Sequence, residues 1–385
     1  MIVHLCCSVD AGYFLKRLQE EFAQEKIIGF FYDPNIHPYL EFKLRSLDTQ
    51  RICEKLGVEF VEGDYDYENW LKVVKGKENE AEKGARCSLC FDHSLKATAE
   101  YAKKRNNKTI TTSLLMSPMK SQEQLNSIAK IIKEKYDIDF YAPDFRKKGG
   151  TQAQQIYAKQ TQMYRQDYCG CMYGLWLQKK NKEIIDELLS PITKQTLPSS
   201  IEEKLEIYKK RLEYEKKGVQ YKIIKENFLN YRLFRGSVKL RMENGELRME
   251  NVSEMNSTYI FEKSMCRGKW KIVPSYILFY SYLQRSVRGK IEFIKDEVGY
   301  FSKMQIIFVS VEKFNKVLNK SYKNVKEILL SPPNIDEELK FREYISSVKY
   351  SLSPIIVIDK IENIKYEIDI EAKIYPDVRE ILIKF

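Results

Sequence analysis

The chain is predicted to be an α/β protein built on a doubly wound, mostly parallel sheet, with a separate α+β domain after it. Three observations predict this. Short apolar runs alternate with helix-length segments over residues 1–150. Polar and cysteine-rich turns follow the ends of those runs. Beyond residue 198 the rhythm changes to one very charged helical stretch and then β-rich runs.

Ile2–Leu5 is a short apolar run, and 11–25 is helical in pattern. IIGFFY at 27–32 reads as a buried strand closed by Asp33-Pro34-Asn35. A helix is predicted from Tyr39 to Leu56, with Gly57 as its C-cap. Val58–Val61 is the third strand. Ser88–Lys104 is helical, Thr109–Leu114 a strand, Gln122–Tyr136 a helix and Ile138–Ala142 a strand. Parallel strands joined by right-handed helical crossovers make an open sheet whose ligands gather beyond the strands' carboxyl ends. Cys6-Cys7, Asp33–His37, Asp64–Asp66 and Ser117-Pro118 all fall at that edge, as one active site requires. Residues 151–198 read as helical, and 199–217 as a charged helix with a solvated or linker face. The tail is read as strands at 221–224, 257–262, 269–273, 304–311, 355–358 and 366–370. A seven-residue duplication, RMENGEL at 241–247 followed by RMEN at 248–251, reads as an inserted loop. The domains are therefore expected at 1–198, holding the metal chemistry, and 199–385, a basic extension.

Length and composition narrow the class. A chain of 385 residues, 43% hydrophobic and 31% charged, can bury one or two cores, so its eight cysteines are not needed as a disulfide scaffold. The first residues show no basic and apolar leader, and no run approaches the ~20 apolar residues of a membrane helix. The expectation is a cytoplasmic protein without a membrane partner, whose thiols stay reduced. The net charge is +11. Residues 199–385 hold 35 basic and 27 acidic residues, against 30 and 27 in the first 198, so most of the surplus lies in the tail and suits a polyanion.

Six cysteines form three pairs: Cys6-Cys7, Cys87-x-x-Cys90 and Cys169-Gly170-Cys171. Such pairs serve an iron–sulfur cluster, zinc or dithiol redox chemistry. Cys53 and Cys266 stand alone and read as packing residues. Cys87 and Cys90 open a helix beside Arg86, where the macrodipole favours thiolate. Cys6, Cys7, Cys87 and Cys90 make a four-thiolate set for a [4Fe–4S] cluster, with zinc as the competitor. Asp10 adds an oxygen ligand that a four-thiolate zinc site does not need. Cys169 and Cys171, with Gly170 allowing the bend, suit a redox pair, or alternatively complete the metal site. His4 reads as a satisfied interior residue and His93 as an indirect neighbour of the site. His37 lies in a rigid turn that either positions substrate or packs.

Seven stretches resemble the cobalamin-independent epoxyqueuosine reductases, the QueH family, in order. They are HLCCSVD at 4–10, DPNIHPYLEFKLR at 33–45, GDYDYENW at 63–70, ARCSLC at 85–90, TTSLLMSP at 111–118, DFRKKGG at 144–150 and YRQDYCGC at 164–171. The resemblance covers about the first 175 residues, and the tail resembles that of the family's longer form. It implies a fold of the nucleotide α-hydrolase type and a tRNA-modifying oxidoreductase that reduces epoxyqueuosine to queuosine at the wobble position. It further implies a [4Fe–4S] cluster and an additional mononuclear iron. No SGGxDS phosphate loop is present, so ATP hydrolysis and a sulfurtransferase role are not expected. Two departures stand out. Asp10 occupies a place where many relatives have Cys, and Met119-Lys120-Ser121-Gln122 replaces an aromatic-Gln-x-His segment.

The expected division of labour follows. Cys6, Cys7, Cys87 and Cys90 hold the cluster and adjoining iron, Asp10 completes the iron's shell, and Cys169/Cys171 exchange electrons nearby. Tyr168, Asp33 and His37 are candidates for the acid that protonates the leaving oxygen. The partners are tRNA carrying wobble epoxyqueuosine, bound largely by the basic tail, and an electron donor of unspecified identity. The alternative is a zinc-stabilised, non-catalytic RNA-binding protein.

Overall fold

In a computed structural model, which describes residues 1–117, 120–178, 195–241, 270–301 and 305–385, the chain divides into two compact units. One comprises Met1–Leu188, Lys204–Ile224 and Ile381–Phe385, the other Leu189–Glu203 and Lys225–Glu380. A single cut between 198 and 199 therefore does not describe the division, because two later segments belong to the first unit.

The first unit carries β1 (Ile2–Leu5), α1 (Ser8–Glu21), β2 (Ile28–Phe31), α2 (Tyr39–Leu56), β3 (Glu59–Glu62), α3 (Tyr67–Val74) and α4 (Ala85–Lys104). These are followed by β4 (Thr109–Thr112), a 3-10 turn at Ser113–Met116, α5 (Gln122–Tyr136), β5 (Asp139–Phe140), α6 (Gly150–Gln160) and α7 (Met172–Gln178). The sheet order is β3-β2-β1-β4-β5, and every pair is parallel. The alternation of the sequence thus resolves into the expected α/β sheet. β1 and β2 are buried throughout, as strands covered by helices on both faces must be. Their side chains join Phe14, Leu15, Leu18, Leu95 and Ile110 in one core. Helix α2 runs over the predicted residues and stops at Gly57, which adopts φ +66 and donates its N–H to the carbonyls of Cys53 and Glu54.

The strand order changes direction between β1 and β4, which opens a crevice at their carboxyl ends. Cys6 leaves β1 into that crevice, and its backbone N–H is bound by Ser113 Oγ, just past β4, at 3.1 Å. Cys53 packs in the core, fully buried and away from this edge.

Helix α8 (Ile201–Lys216) is charged, as read, but it is not only a solvated face. Leu205 and Tyr208 pack with Leu44 and Tyr164, and buried Arg211 donates to the carbonyls of Thr161 and Gln162.

Residues after 220 form two more sheets. One is β10-β11-β12-β13-β8, using β8 (Ser275–Ile277), β10 (Phe293–Lys295), β11 (Val298–Phe301), β12 (Ile306–Ser310) and β13 (Ile355–Ile358). The other is β7-β6-β14-β9, from β6 (Tyr221–Arg241), β7 (Trp270–Ile272), β9 (Val287–Lys290) and β14 (Lys365–Lys384). Helices α9 (Val311–Leu318), α10 (Val325–Leu330) and α11 (Ile335–Ser346) complete the expected α+β content. Strands β6 and β14 run far longer than the apolar runs that announced them. The expected strand at 257–262, Cys266 and most of the 241–251 duplication lie outside the described residues.

Candidate active site

A cavity of about 260 Å³ lies in the first unit and is lined by Cys6, Cys87, Cys90, Cys169 and Cys171. Residues more than 160 positions apart in the chain thus bring all three cysteine pairs to one place. Each pair arrives by a different local device. Cys6 and Cys7 bridge β1 and α1, Cys7 being the N-cap residue of that helix. Cys87 and Cys90 sit in the first turns of α4, which starts at Ala85, three residues earlier than predicted. Cys169 and Cys171 lie on an irregular segment held against the 33–38 turn, where Ile36 bridges Cys171 and His37 N–H donates to Gly170 O at 2.9 Å.

Glycine is required between the last two cysteines. Gly170 has φ +108, and a Cβ there would lie 2.7 Å from Ile36 Cγ1 and 3.2 Å from Arg45 Nη1. Arg45 is the clamp on this segment. Fully enclosed, it donates to the carbonyls of Tyr168 (3.0 Å) and Cys169 (3.1 Å), packs over the Tyr168 ring and pairs with Glu41 at 2.7 Å.

The donors fall into two groups. Cys6 Sγ lies 3.9 Å from Cys7 Sγ and 3.7 Å from Asp10 Oδ2, and the ligand atoms of these three residues all fall within 4.8 Å of one another. A tetrahedral metal with ~2.3 Å bonds to sulfur sets its ligand atoms about 3.8 Å apart, so this trio has the spacing of a one-metal site. The second group is Cys87, Cys90, Cys169 and Cys171. All four line the cavity, and Cys90 and Cys169 pack against the cluster of Trp70, Val74 and Cys171. Here the sulfurs meet N–H donors: Lys83 N–H reaches Cys87 Sγ at 3.3 Å, Trp70 Nε1–H reaches Cys90 Sγ at 3.3 Å, and the backbone N–H groups of Gly174 and Tyr173 serve Cys171. Such donors accompany cluster thiolates.

The α4 N-terminus favours thiolate, but burial outweighs it. Burial pushes the Cys87 and Cys90 thiols up, against the opposing bonds from Lys83 and Trp70. A metal bound through these sulfurs would have to displace their protons.

Asp33 is the most perturbed carboxyl of the cavity. It is buried, its Oδ2 has no hydrogen-bond partner, and burial raises it to about 7 despite Arg45 and Lys120. Tyr168 also lines the cavity, but its hydroxyl donates to His37 O. His37 is not among the lining residues, and its ring stacks on Tyr67, 5.4 Å between centroids. Two further histidines are structural. Buried His4 bonds Thr112 Oγ1 at 2.8 Å and Tyr32 O at 3.0 Å, which matches its expected interior role. His93 meets the Tyr32 hydroxyl at 3.2 Å.

Sequence reasoning missed Gln154, Trp70 and Lys120. Gln154 donates to Asp10 Oδ1 at 2.6 Å. Lys120 lines the cavity and pairs with Glu82 at 3.5 Å; burial opposes its charge, but Cys169, Glu82, Cys87 and Cys90 outweigh it. Only the GDYDYENW stretch had marked Trp70, and nothing local marked Gln154.

The fold and site define an α/β protein with a thiol-lined cavity at the carboxyl edge of a parallel sheet. A family model described as epoxyqueuosine reductase QueH matches residues 1–176. A Helicobacter pylori protein named epoxyqueuosine reductase QueH is 37% identical over 368 residues, covering 94% of each chain. Proteins of the same name from Haemophilus influenzae (34% identity; 48% of this chain, 78% of that one) and Thermotoga maritima (32%; 47% and 93%) match shorter stretches. The chain belongs to the QueH family of epoxyqueuosine reductases. With the Helicobacter pylori relative it shares the second unit as well as the first. Among the described residues no helix is long and apolar enough to cross a membrane.

Proposed function

We propose that the chain reduces the epoxide of epoxyqueuosine in tRNA to the alkene of queuosine, on a fold of the nucleotide α-hydrolase type. The observation that carries this reading is the gathering of five thiols, Asp10 and a perturbed Asp33 around one cavity. In this proposal Cys87, Cys90, Cys169 and Cys171 hold a [4Fe–4S] cluster, while Cys6, Cys7 and Asp10 hold a single iron. That moves Cys169 and Cys171 from a separate redox pair into the cluster, and Cys6 and Cys7 from the cluster to the iron. The spacing of Cys6, Cys7 and Asp10 and the N–H partners of Cys87, Cys90 and Cys171 support the change. When bound, the metals supply electrons and a Lewis acid for the epoxide oxygen.

The overall change takes up two electrons and two protons, breaks two C–O bonds, forms the C=C bond and releases the oxygen as water. Asp33 holds one proton at its unpartnered Oδ2, because burial keeps its carboxyl neutral to about pH 7. Arg45 keeps the 168–171 segment in place, and Gln154 orients Asp10. The basic surplus of the later residues supplies phosphate contacts to tRNA.

Anaerobic turnover of epoxyqueuosine-tRNA with a chemical reductant, followed by nucleoside mass spectrometry, tests the activity. Brown protein that forms queuosine is the expected result. Colourless protein with one stoichiometric zinc and no turnover would overturn the reading.

A further inference from the structure

Trp70 carries an unusual contact for a fully enclosed indole. It lies on α3, has no exposed surface, and stacks between Tyr67 (5.7 Å) and Tyr173 (6.2 Å). An indole N–H is a donor only and needs a partner when buried. Here the partner is a sulfur, Cys90 Sγ at 3.3 Å. The N–H bonds at Cys87 and Cys171 come from backbone groups, which no side-chain substitution removes. Trp70 is thus a side-chain dial on a cavity thiol, held rigidly by its two aromatic neighbours.

We propose that Trp70 is a positioning residue that raises the reduction potential of the metal centre on Cys90 by donating its indole hydrogen bond to that sulfur. The inference rests on the assignment of Cys90 as a cluster ligand. Reduction adds negative charge to the centre and its thiolates, and a fixed N–H dipole aimed at a thiolate stabilises the more negative state. Because Trp70 has no exposed surface, that dipole acts at low dielectric and its effect is not screened away.

The test is an anaerobic redox titration, followed by electron paramagnetic resonance, of cluster-reconstituted full-length protein. Trp70→Phe keeps a ring between Tyr67 and Tyr173 but removes the donor. Benzothienylalanine incorporated at position 70 keeps the indole shape and replaces only the N–H. Tyr173→Phe serves as a packing control. The expected result is a more negative midpoint for both position-70 variants, with iron and sulfide per chain unchanged and the control at the wild-type midpoint. Equal midpoints in fully loaded variants overturn the inference, as does loss of the cluster from both. Wild-type protein that takes up no cluster overturns the ligand assignment instead, so the two failures are distinguishable.

Discussion

Gln154 donates from Nε2 to Asp10 Oδ1 at 2.6 Å, which leaves the other carboxylate oxygen, Oδ2, 3.7 Å from Cys6 Sγ. One amide on α6 therefore aims a carboxylate at the beginning of α1. Bonds of this kind orient metal-binding carboxylates, and their loss typically costs about 10–100-fold in metal affinity. Gln154→Leu should keep the fold and cluster absorbance but release the single iron to chelators at concentrations lower by that factor. Chelator competition with iron counted per chain measures it, and unchanged affinity refutes the role.

Asp10→Ala and Cys6→Ser should each remove about one iron per chain while the visible absorbance of the cluster remains, if the two donor groups hold separate centres. Cys90→Ser should remove most iron and sulfide. Cys53→Ser, in the core, should change neither. Loss of the cluster from Cys6→Ser would restore the other partition, in which Cys6 and Cys7 belong to the cluster.

Asp33→Asn should lower kcat sharply with full metal content, because the amide cannot release a proton. Wild-type turnover should fall as pH rises through about 7, since the acid form of Asp33 is then lost. A flat profile from pH 6 to 8 for the chemical step, measured in single turnover, argues against this acid.

Gly170→Ala should destabilise the first unit by roughly 1–3 kcal/mol, the usual cost of a strained backbone conformation. Its Cβ would also press on Ile36 and Arg45. Denaturant unfolding reads the loss, and free-thiol labelling of Cys169 and Cys171 should accelerate alongside.

Glu215 links α8 to Arg51 and Lys55, each at 3.1 Å. Burial works to raise its carboxyl, but Tyr221, Arg51 and Lys55 prevail and hold it down at about 2. A carboxyl depressed in the fold stabilises fully above its unfolded value of about 4.3, and the contribution disappears as pH falls toward 2. Glu215→Gln should therefore be less stable than wild type at pH 7, with the gap closing between about pH 4 and 2. Thermal unfolding across that range checks it. The same contacts make truncation at 198 a poor test of tRNA binding, since it removes residues of the first unit. Reversing exposed Lys326, Lys340 and Lys349 to Glu should instead weaken tRNA binding and flatten its salt dependence.

What the sequence determined by itself was local or carried by motifs. The α2 helix and its Gly57 stop, the buried β1 and β2, the three cysteine pairs as pairs, and the place of Cys6-Cys7 at the strand edge were legible because periodicity, capping and turn chemistry act within a few residues. Only the tertiary structure decided which thiols face which. Cys6 meets Cys7 and Asp10, whereas Cys90 and Cys169 pack against the cluster of Trp70 and Cys171, and that arrangement depends on Arg45 holding a segment more than 120 residues away. The same is true of Gln154 on Asp10, Trp70 on Cys90, and the docking of α8 through Leu205 and Tyr208. The physical reason is that a hydrogen bond or a packed side chain is set by distance in space. The chain's periodicity reports only which face of an element is apolar, not which partner the fold brings to it.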